Sequence, residues 1–137
     1  MEDEIRELLY KVAGQLRRTY DELLREVDLH VGQDQLLCQL WREEGVTQAQ
    51  LCERLNVEPP TVTNMLIKLE KKGIVSRKRD EADGRVSRVY VTPEGRALLK
   101  PVESIWHSVT EKLLADFPSE ERARLVAMLR RMDRNLE

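Results

Sequence analysis

The chain has few aromatic residues, few cysteines and no cysteine–histidine clusters. Aromatic side chains make up 4% of its 137 residues, whereas charged residues make up 35%. This balance is more typical of a helical protein than of a β-sandwich. The two cysteines, Cys38 and Cys52, are widely spaced and have no adjacent histidine. We therefore expect neither a disulfide framework nor a zinc site.

Signals for export and for membrane insertion are also absent from the sequence. The first residues, MEDEIRELLY, are acidic and lack the basic and apolar regions of a signal peptide. No apolar run approaches the roughly 18 residues that a membrane-spanning helix requires. The sequence therefore predicts a cytoplasmic protein without a membrane partner.

Patterns of catalytic residues are missing as well. The only histidines, His30 and His107, lie outside any nucleophile pattern. The chain has no glycine-rich phosphate loop and no metal-ligand spacing. We therefore expect no enzyme activity, no cofactor and no metal site.

Positive charge is in the minority overall but is concentrated in one segment. The formal net charge is -2, yet the stretch from Lys68 to Arg88 holds eight Lys or Arg and four Asp or Glu, a surplus of +4. The rest of the chain therefore carries -6. A basic segment on an acidic body favours binding of a polyanion at one face only.

Apolar residues at spacings of three and four predict long helices at both ends of the chain. The first helix covers about residues 3–27, and two more begin near Pro93 and Pro118. Pro101 lies inside one of these helices, so we expect a kink or a break near residues 99–100.

These terminal helices carry apolar faces that are too large for a monomer to expose. We therefore expect residues 1–30 and 100–137 to form a helical dimerisation region with a second copy of the chain. Residues 31–99 are left as a separate lobe.

Within this lobe, the pattern predicts three helices followed by two strands. A helix covers roughly residues 33–44, and Thr47 is a suitable N-cap for the next helix, which Asn56 ends. The stretch VEPPTVTNMLIKLEKKG predicts a third helix, because its two prolines fit only in a first helical turn and Gly73 supplies a stop. The runs IVSRKR and SRVYV alternate as strands do, and the Asp-Gly pair at 83–84 indicates a hairpin between them.

Two short helices joined by a tight turn and followed by a hairpin predict a winged helix-turn-helix. The expected fold class is mainly α, an α+β winged helix with long N- and C-terminal dimerisation helices. The third helix presents small polar side chains opposite the apolar Val62 and Leu66. Asn can pair with adenine, and Thr can contact a thymine methyl group. The candidate major-groove residues are Pro60, Thr61, Thr63, Asn64 and Lys68.

The hairpin supplies most of the remaining candidate DNA contacts. Arg85 at its tip is a long planar cation, which suits a narrow minor groove. The candidates for contacts to the DNA backbone are Thr47, Gln48, Arg77, Lys78, Arg79 and Arg88. The charged side chains of the hairpin also fit a second interpretation, in which they only protect a strand edge from pairing.

The stretch VTQAQLCERLNVEPPTVTNMLIKLEKKGIVSRKRDEADGRVSRVYVTPEGRALL resembles the MarR (multiple-antibiotic-resistance regulator) family of winged-helix transcription factors. Its most specific part is Asp80 and the following DGR, with VTPEG after it. The resemblance implies that the helix at 58–72 reads the major groove and that Arg85 enters the minor groove. It also implies that Asp80 or Asp83 holds this arginine by a charge-assisted bond. Where the family often has Ser or Asp as the helix cap, this chain has Glu58.

The resemblance further implies a homodimer that binds a pseudo-palindromic operator in double-stranded DNA. Members of the family regulate transcription, most often as repressors, and many are released by small anionic aromatic effectors. The implied effector site lies between the dimerisation helices and the winged lobe. Its candidate residues are Tyr10, His30, Trp41 and Trp106, with Tyr20 and His107 as further candidates. Each of these side chains also fits a role in the core or in the dimer interface.

Two other functions stay open at this point. Some members of the family sense oxidants through cysteine, which makes Cys38 and Cys52 candidates for a redox switch. Both lie beside leucines on apolar helix faces, and the first helix has no cysteine. A winged helix can also bind a protein instead of DNA. That role needs an apolar or acidic recognition face, which Thr61 and Lys68 do not provide.

Overall fold

The computed structural model describes residues 1–137 and contains seven α-helices and one three-stranded sheet. The helices are α1 (Glu2–Leu24), α2 (Gln33–Arg42), α3 (Gln48–Leu55), α4 (Pro59–Lys71), α5 (Pro93–Arg96), α6 (Leu99–Leu113) and α7 (Ser119–Leu136). The strands are β1 (Val46–Thr47), β2 (Val75–Arg79) and β3 (Ser87–Val91). The predicted mainly α winged-helix fold is confirmed, and a short 3-10 turn at Arg25–Val27 extends α1 to its expected end.

The sheet is antiparallel, with β3 between β1 and β2. The hairpin pairs Val75 with Val91 at one end and Arg79 with Ser87 at the other. β1 adds a third strand by pairing Val46 with Val89. The sequence did not predict β1, because two residues are too few to show an alternating pattern.

The ends of the helix-turn-helix follow from local chemistry. Thr47 caps α3 through a reciprocal capping box with Gln50. Asn56 ends α3 in the left-handed conformation at φ 52°. Glu58 precedes α4 without making a side-chain cap, which matches its weakness as a capping residue. Gly73 follows α4 at φ 73°, a conformation that favours glycine.

The break predicted near residues 99–100 lies slightly earlier, at residues 97–98. α6 begins at Leu99, so Pro101 falls in its first turn. The missing N–H of a proline costs no hydrogen bond in a first turn. The proline therefore starts a new helix and does not kink a continuous one.

A single hydrophobic core joins the lobe to α1 and α6. It contains leucines and valines from α2, α3, α4 and the sheet, together with Leu24 of α1 and Val102 of α6, both fully buried. The boundaries predicted at residues 30 and 100 thus separate stretches of chain whose side chains share one core. By contrast, α7 has no buried residue. None of the helices combines the length and the apolar character needed to cross a membrane.

Candidate nucleic-acid interface

α4 has one buried face and one exposed face. Its buried side chains are Val62, Leu66 and Leu69. Among the predicted major-groove residues, those exposed to solvent are Pro60, Thr61, Asn64 and Lys68. Thr61, Asn64 and Lys68 are three and four residues apart, so they form one stripe along the helix. This stripe leaves polar and cationic groups free to meet a ligand.

Thr63, the fifth predicted major-groove residue, has a different environment. Its side chain is half-buried and lies between α3 and α4. The hydroxyl Oγ1 donates to the carbonyl of Pro59 at 2.9 Å. The same oxygen accepts a hydrogen bond of 2.6 Å from Nε2 of Gln48, the first residue of α3. Two predicted contact residues, Gln48 and Thr63, are therefore bonded to each other.

The turn of the wing, residues 80–86, is longer than the Asp-Gly signal suggested. The amide of Asp80 donates to the carbonyl of Val86 at 2.8 Å, and the amide of Val86 donates to the carbonyl of Asp83 at 3.0 Å. The φ of Gly84 is not positive, so the pair at 83–84 does not form a two-residue hairpin turn. The extra length projects the tip beyond the sheet.

Asp83 holds the arginine at this tip. Its carboxylate accepts from Nε of Arg85 at 3.1 Å and from Nη2 at 3.3 Å. These bonds from Arg85 lower the pKa of the Asp83 carboxyl, because they stabilise its charged form. The Arg85 side chain is nevertheless 92% exposed. It is oriented by its partner and still open to a ligand.

Asp80 has a different partner, at the base of the turn. Its Oδ1 accepts from Nε of Arg88 at 2.9 Å, and its Oδ2 accepts from the amide of Asp83 at 3.1 Å. The bond from Arg88 lowers the pKa of Asp80, and the same pairing raises the pKa of Arg88. Arg88 also donates to the carbonyl of Gly45 at 2.8 Å. Asp80 and Arg88 thus fasten the wing to the loop before β1.

The other cations of the wing also have partners within the chain. Arg77 pairs with Glu70 of α4 at 3.1 Å. Lys78 lies 5.4 Å from the centre of the Tyr90 ring. Arg79 donates to the carbonyl of Gly84 at 3.2 Å. Glu70 and Tyr90 were not among the predicted site residues, because their role depends on how consecutive elements pack and pair, which no local pattern gives.

A surface cleft of about 650 Å³ lies between the wing tip and the helix-turn-helix. Its lining comprises Thr47, Gln48, Ala49, Cys52, Pro59, Arg85, Val86 and Ser87. The fold therefore brings the predicted contacts at the start of α3 to the same side as the tip of the wing. An elongated polyanion lying across this side would meet both elements.

The residues predicted to line an effector site are not gathered in one cavity of the single chain. Trp41 and Trp106 pack edge to face with ring centres 6.4 Å apart. Tyr10 is 75% exposed on α1, whereas His30 lies in a separate concavity with Arg17, Arg18 and Asp21. Of the two further candidates, Tyr20 packs against the core and His107 is exposed.

Both indole N–H groups are already satisfied. Nε1 of Trp41 donates to the carbonyl of Gly95 at 3.2 Å. Nε1 of Trp106 donates to Oδ2 of Asp34 at 2.9 Å, and this aspartate is only 3% exposed. These bonds tie α2 to α5 and α6, a structural role for both tryptophans.

A cavity of about 420 Å³ that the sequence did not predict lies between α1 and α6. Its lining includes the apolar Val12, Leu16, Val109 and Leu113 together with Arg18 and Lys112. It arises from the packing of two helices that are distant in sequence, so no local sequence pattern predicts it.

Cys38 and Cys52, the candidates for a redox switch, are both free and half-buried.

Comparisons with known proteins agree with this geometry. The sequence model of the MarR family matches residues 30–87. All of this chain aligns with 91% of the uncharacterized HTH-type transcriptional regulator YybA of Bacillus subtilis, at 27% identity over 141 residues. The organic hydroperoxide resistance transcriptional regulator of the same organism is 33% identical over 100 residues, which cover 73% of this chain and 67% of that protein.

A solved structure extends the similarity to the whole fold. The MepR–DNA complex of S. aureus superimposes with a TM-score of 0.88 at 26% identity, covering 95% of this chain and 96% of that one. The family match, the relatives and the winged-helix architecture all point the same way. The chain belongs to the MarR family.

Proposed function

We propose that the protein is a homodimeric transcriptional regulator that binds a specific sequence in double-stranded DNA. The observation that carries the proposal is the shared orientation of two elements. The cleft beside the start of α4 is lined by both Pro59 and Arg85, so helix and wing tip border one surface. The structure of MepR, which is similar over nearly the whole chain, is a complex with DNA.

In this proposal the two elements read different grooves. Thr61 and Asn64 on the exposed stripe of α4 face base edges in the major groove, and Lys68 reaches a phosphate. Arg85 enters the adjacent minor groove, where its charge and planar shape fit a narrow space. Thr47, Arg77, Lys78, Arg79 and Arg88 lie along the expected path of the DNA backbone.

The proposed dimer follows from the unburied helix at the C-terminus. α7 contributes no buried residue, and it exposes Val126, Met128, Leu129 and Met132. α1 exposes Ile5, Leu8, Leu9 and Val12 in the same way. A twofold partner would cover these faces. It would also place two α4 helices about 34–36 Å apart, the spacing of half-sites in a pseudo-palindromic operator.

We further propose that the regulator is a repressor released by a small anionic aromatic effector. The cavity between α1 and α6 offers apolar walls together with two cations, Arg18 and Lys112, against the single carboxylate of Glu22. A route to α4 exists, because Nζ of Lys72 donates to the carbonyl of Asp28 in the α1–α2 connection at 2.5 Å. We propose that a ligand that moves α1 is sensed through this bond at the C-terminal end of α4, with a coupling of about 1–3 kcal/mol. A regulator of transcription acts where the DNA is, so we propose the cytoplasm as its compartment.

Selection of bound sequences from a pool of random duplexes tests the function directly. We expect enrichment of one motif with twofold symmetry. Affinity for that motif should fall by about 10³- to 10⁵-fold between 50 and 200 mM salt if the dimer makes about 6–10 phosphate contacts. A protein-interaction module would enrich no duplex, and that result would refute the proposal. Enrichment of a motif without symmetry would refute the twofold arrangement alone.

A further inference from the structure

We propose that Gln48 reads an adenine in each half-site and that Thr63 is the positioning residue that orients its amide. The inference rests on the proposed DNA-binding function and changes the roles of two predicted contacts. Gln48 becomes a base-reading residue instead of a contact to the DNA backbone, and Thr63 acts through Gln48 instead of touching a base.

The hydrogen bonds around Thr63 fix the orientation of the glutamine. A threonine hydroxyl has one proton, and Oγ1 of Thr63 gives it to the carbonyl of Pro59 at 2.9 Å. The atom of Gln48 that faces this hydroxyl at 2.6 Å must then be a donor. The amide nitrogen Nε2 therefore points at Thr63, and the reverse orientation would set two acceptors against each other.

The orientation leaves a defined pair of groups free on Gln48. Nε2 keeps its second N–H as a donor, and Oε1 keeps its capacity as an acceptor. The backbone at Gln48 is held as well, because Thr47 and Gln50 form the capping box around the start of α3. The side chain lines the cleft shared with Arg85. Gln48, with its free donor and acceptor, thus borders the proposed DNA surface.

A donor beside an acceptor matches a base edge better than it matches a phosphate. Glutamine pairs with adenine by accepting from N6 and donating to N7. A phosphate has only acceptor oxygens, so a fixed Oε1 beside it would be repelled. Thr63 itself is half-buried, and its only proton is already used. It therefore has no donor left for a base, unlike the exposed Asn64.

Base-preference profiles of substituted proteins test this assignment. Gln48→Ala should reduce discrimination for adenine at one position per half-site by about 5- to 150-fold, the range of a bidentate contact. Thr63→Val keeps the shape and removes the hydroxyl, so it should weaken the preference at the same position. Thr63→Ser keeps the hydroxyl and should retain the preference. All other positions should be unchanged.

A fourth variant, Gln48→Glu, should change the preferred base and not merely weaken the preference for adenine. Gln48→Glu has two acceptor oxygens, and the Thr63 hydroxyl can turn to bond one of them. The free acceptor should then favour cytosine, whose N4 amino group donates. A protein whose Thr63–Gln48 bond serves only to join α3 and α4 would show lower stability and an unaltered profile.

Three results would overturn the inference. The first is a change at a different position in Thr63→Val than in Gln48→Ala, which would mean that Thr63 touches a base itself. The second is a uniform loss of affinity across all sequences in Gln48→Ala, which indicates a phosphate contact. The third is an unchanged profile in both Gln48→Ala and Gln48→Glu. If the native protein enriches no duplex at all, the proposed function fails and the inference fails with it.

Discussion

The arginines of the wing have different bonding partners, and these partners indicate different roles. Arg88 is bonded to Asp80 and to the carbonyl of Gly45, so it supports the base of the wing. Arg77 pairs with Glu70 of α4 at 3.1 Å and keeps about a quarter of its side chain exposed. Arg85 also has a carboxylate partner, Asp83, but this pair projects from the tip and leaves the arginine 92% exposed. This exposure leaves Arg85 accessible to a ligand. Exposed ion pairs contribute little to stability, so loss of the Arg85–Asp83 pair should hardly destabilise the fold.

Replacement of Arg85 by alanine should therefore weaken operator binding without unfolding the protein. The expected loss is about 1.5–3 kcal/mol, the usual contribution of a hydrogen bond to a charged group. Fluorescence anisotropy with the selected duplex measures the affinity, and thermal unfolding measures the stability. Arg25→Ala is a matched control, because Arg25 is an exposed arginine paired with a single aspartate, Asp21, at 2.9 Å and lies outside the proposed interface. Equal affinity in Arg85→Ala and Arg25→Ala would argue against a role of the wing tip.

At the scale of elements, the junction between the wing and α5 depends on one glycine. A Cβ at Gly95 would lie 2.2 Å from the carbonyl oxygen of Ile74 and 2.9 Å from Cγ1 of Val91. Thr92 tightens the same junction, because its hydroxyl bonds the carbonyl of Gly73 and accepts from the amide of Gly95. The wing strand, the end of α4 and the start of α5 therefore meet at a point without room for a side chain.

Gly95→Ala should lower the free energy of unfolding by at least about 1–3 kcal/mol, since the new methyl group would displace buried backbone. Gly84→Ala at the wing tip serves as the control. Nothing lies within 4 Å of a Cβ there, and its φ is not positive, so the change should stay below about 1 kcal/mol. Denaturant unfolding of the two variants measures the difference. Similar midpoints would show that the junction can relax around a methyl group.

The same comparison of elements shows what a sequence can predict for this chain. Thr47, Asn56 and Gly73 mark helix ends through chemistry that acts within a few residues, so their roles were predictable. β1 was missed because two residues carry no pattern, and it exists only by pairing with β3. The Gln48–Thr63 bond joins two helices whose relative angle no local pattern gives. For the same reason, the sequence did not decide whether Asp80 or Asp83 is the partner of Arg85. In the structure, Asp83 bonds Arg85 and Asp80 bonds Arg88.

The charge of the whole molecule favours one orientation towards DNA. The stretch from Lys68 to Arg88 carries +4, and the remaining residues carry -6. Repulsion between phosphates and the acidic body should disfavour approaches from other sides, whereas the wing and α4 attract the duplex. The effect of this asymmetry on association should decrease with rising salt, because exposed charges beyond about 10 Å are screened at 0.1 M.

Dimerisation determines whether one basic surface or two basic surfaces of the protein face the operator half-sites. Leu129 lies at the centre of the exposed apolar face of α7 and is 49% exposed in the single chain. Leu129→Glu would place a charge inside the proposed interface, where burial without a partner is costly. We expect sedimentation analysis to show dissociation into folded monomers. Operator affinity should then fall to that of one half-site, because the two α4 helices are no longer held together.

Ala127→Glu provides the control for this substitution, since residue 127 lies two positions away and therefore on the opposite side of the helix. It adds the same charge to α7 and should leave both the dimer and its affinity intact. A dimeric Leu129→Glu protein would place the interface elsewhere. A monomeric one that binds the full operator as tightly as the native protein would show that a single winged lobe is sufficient, and twofold symmetry of the operator would then lose its physical basis.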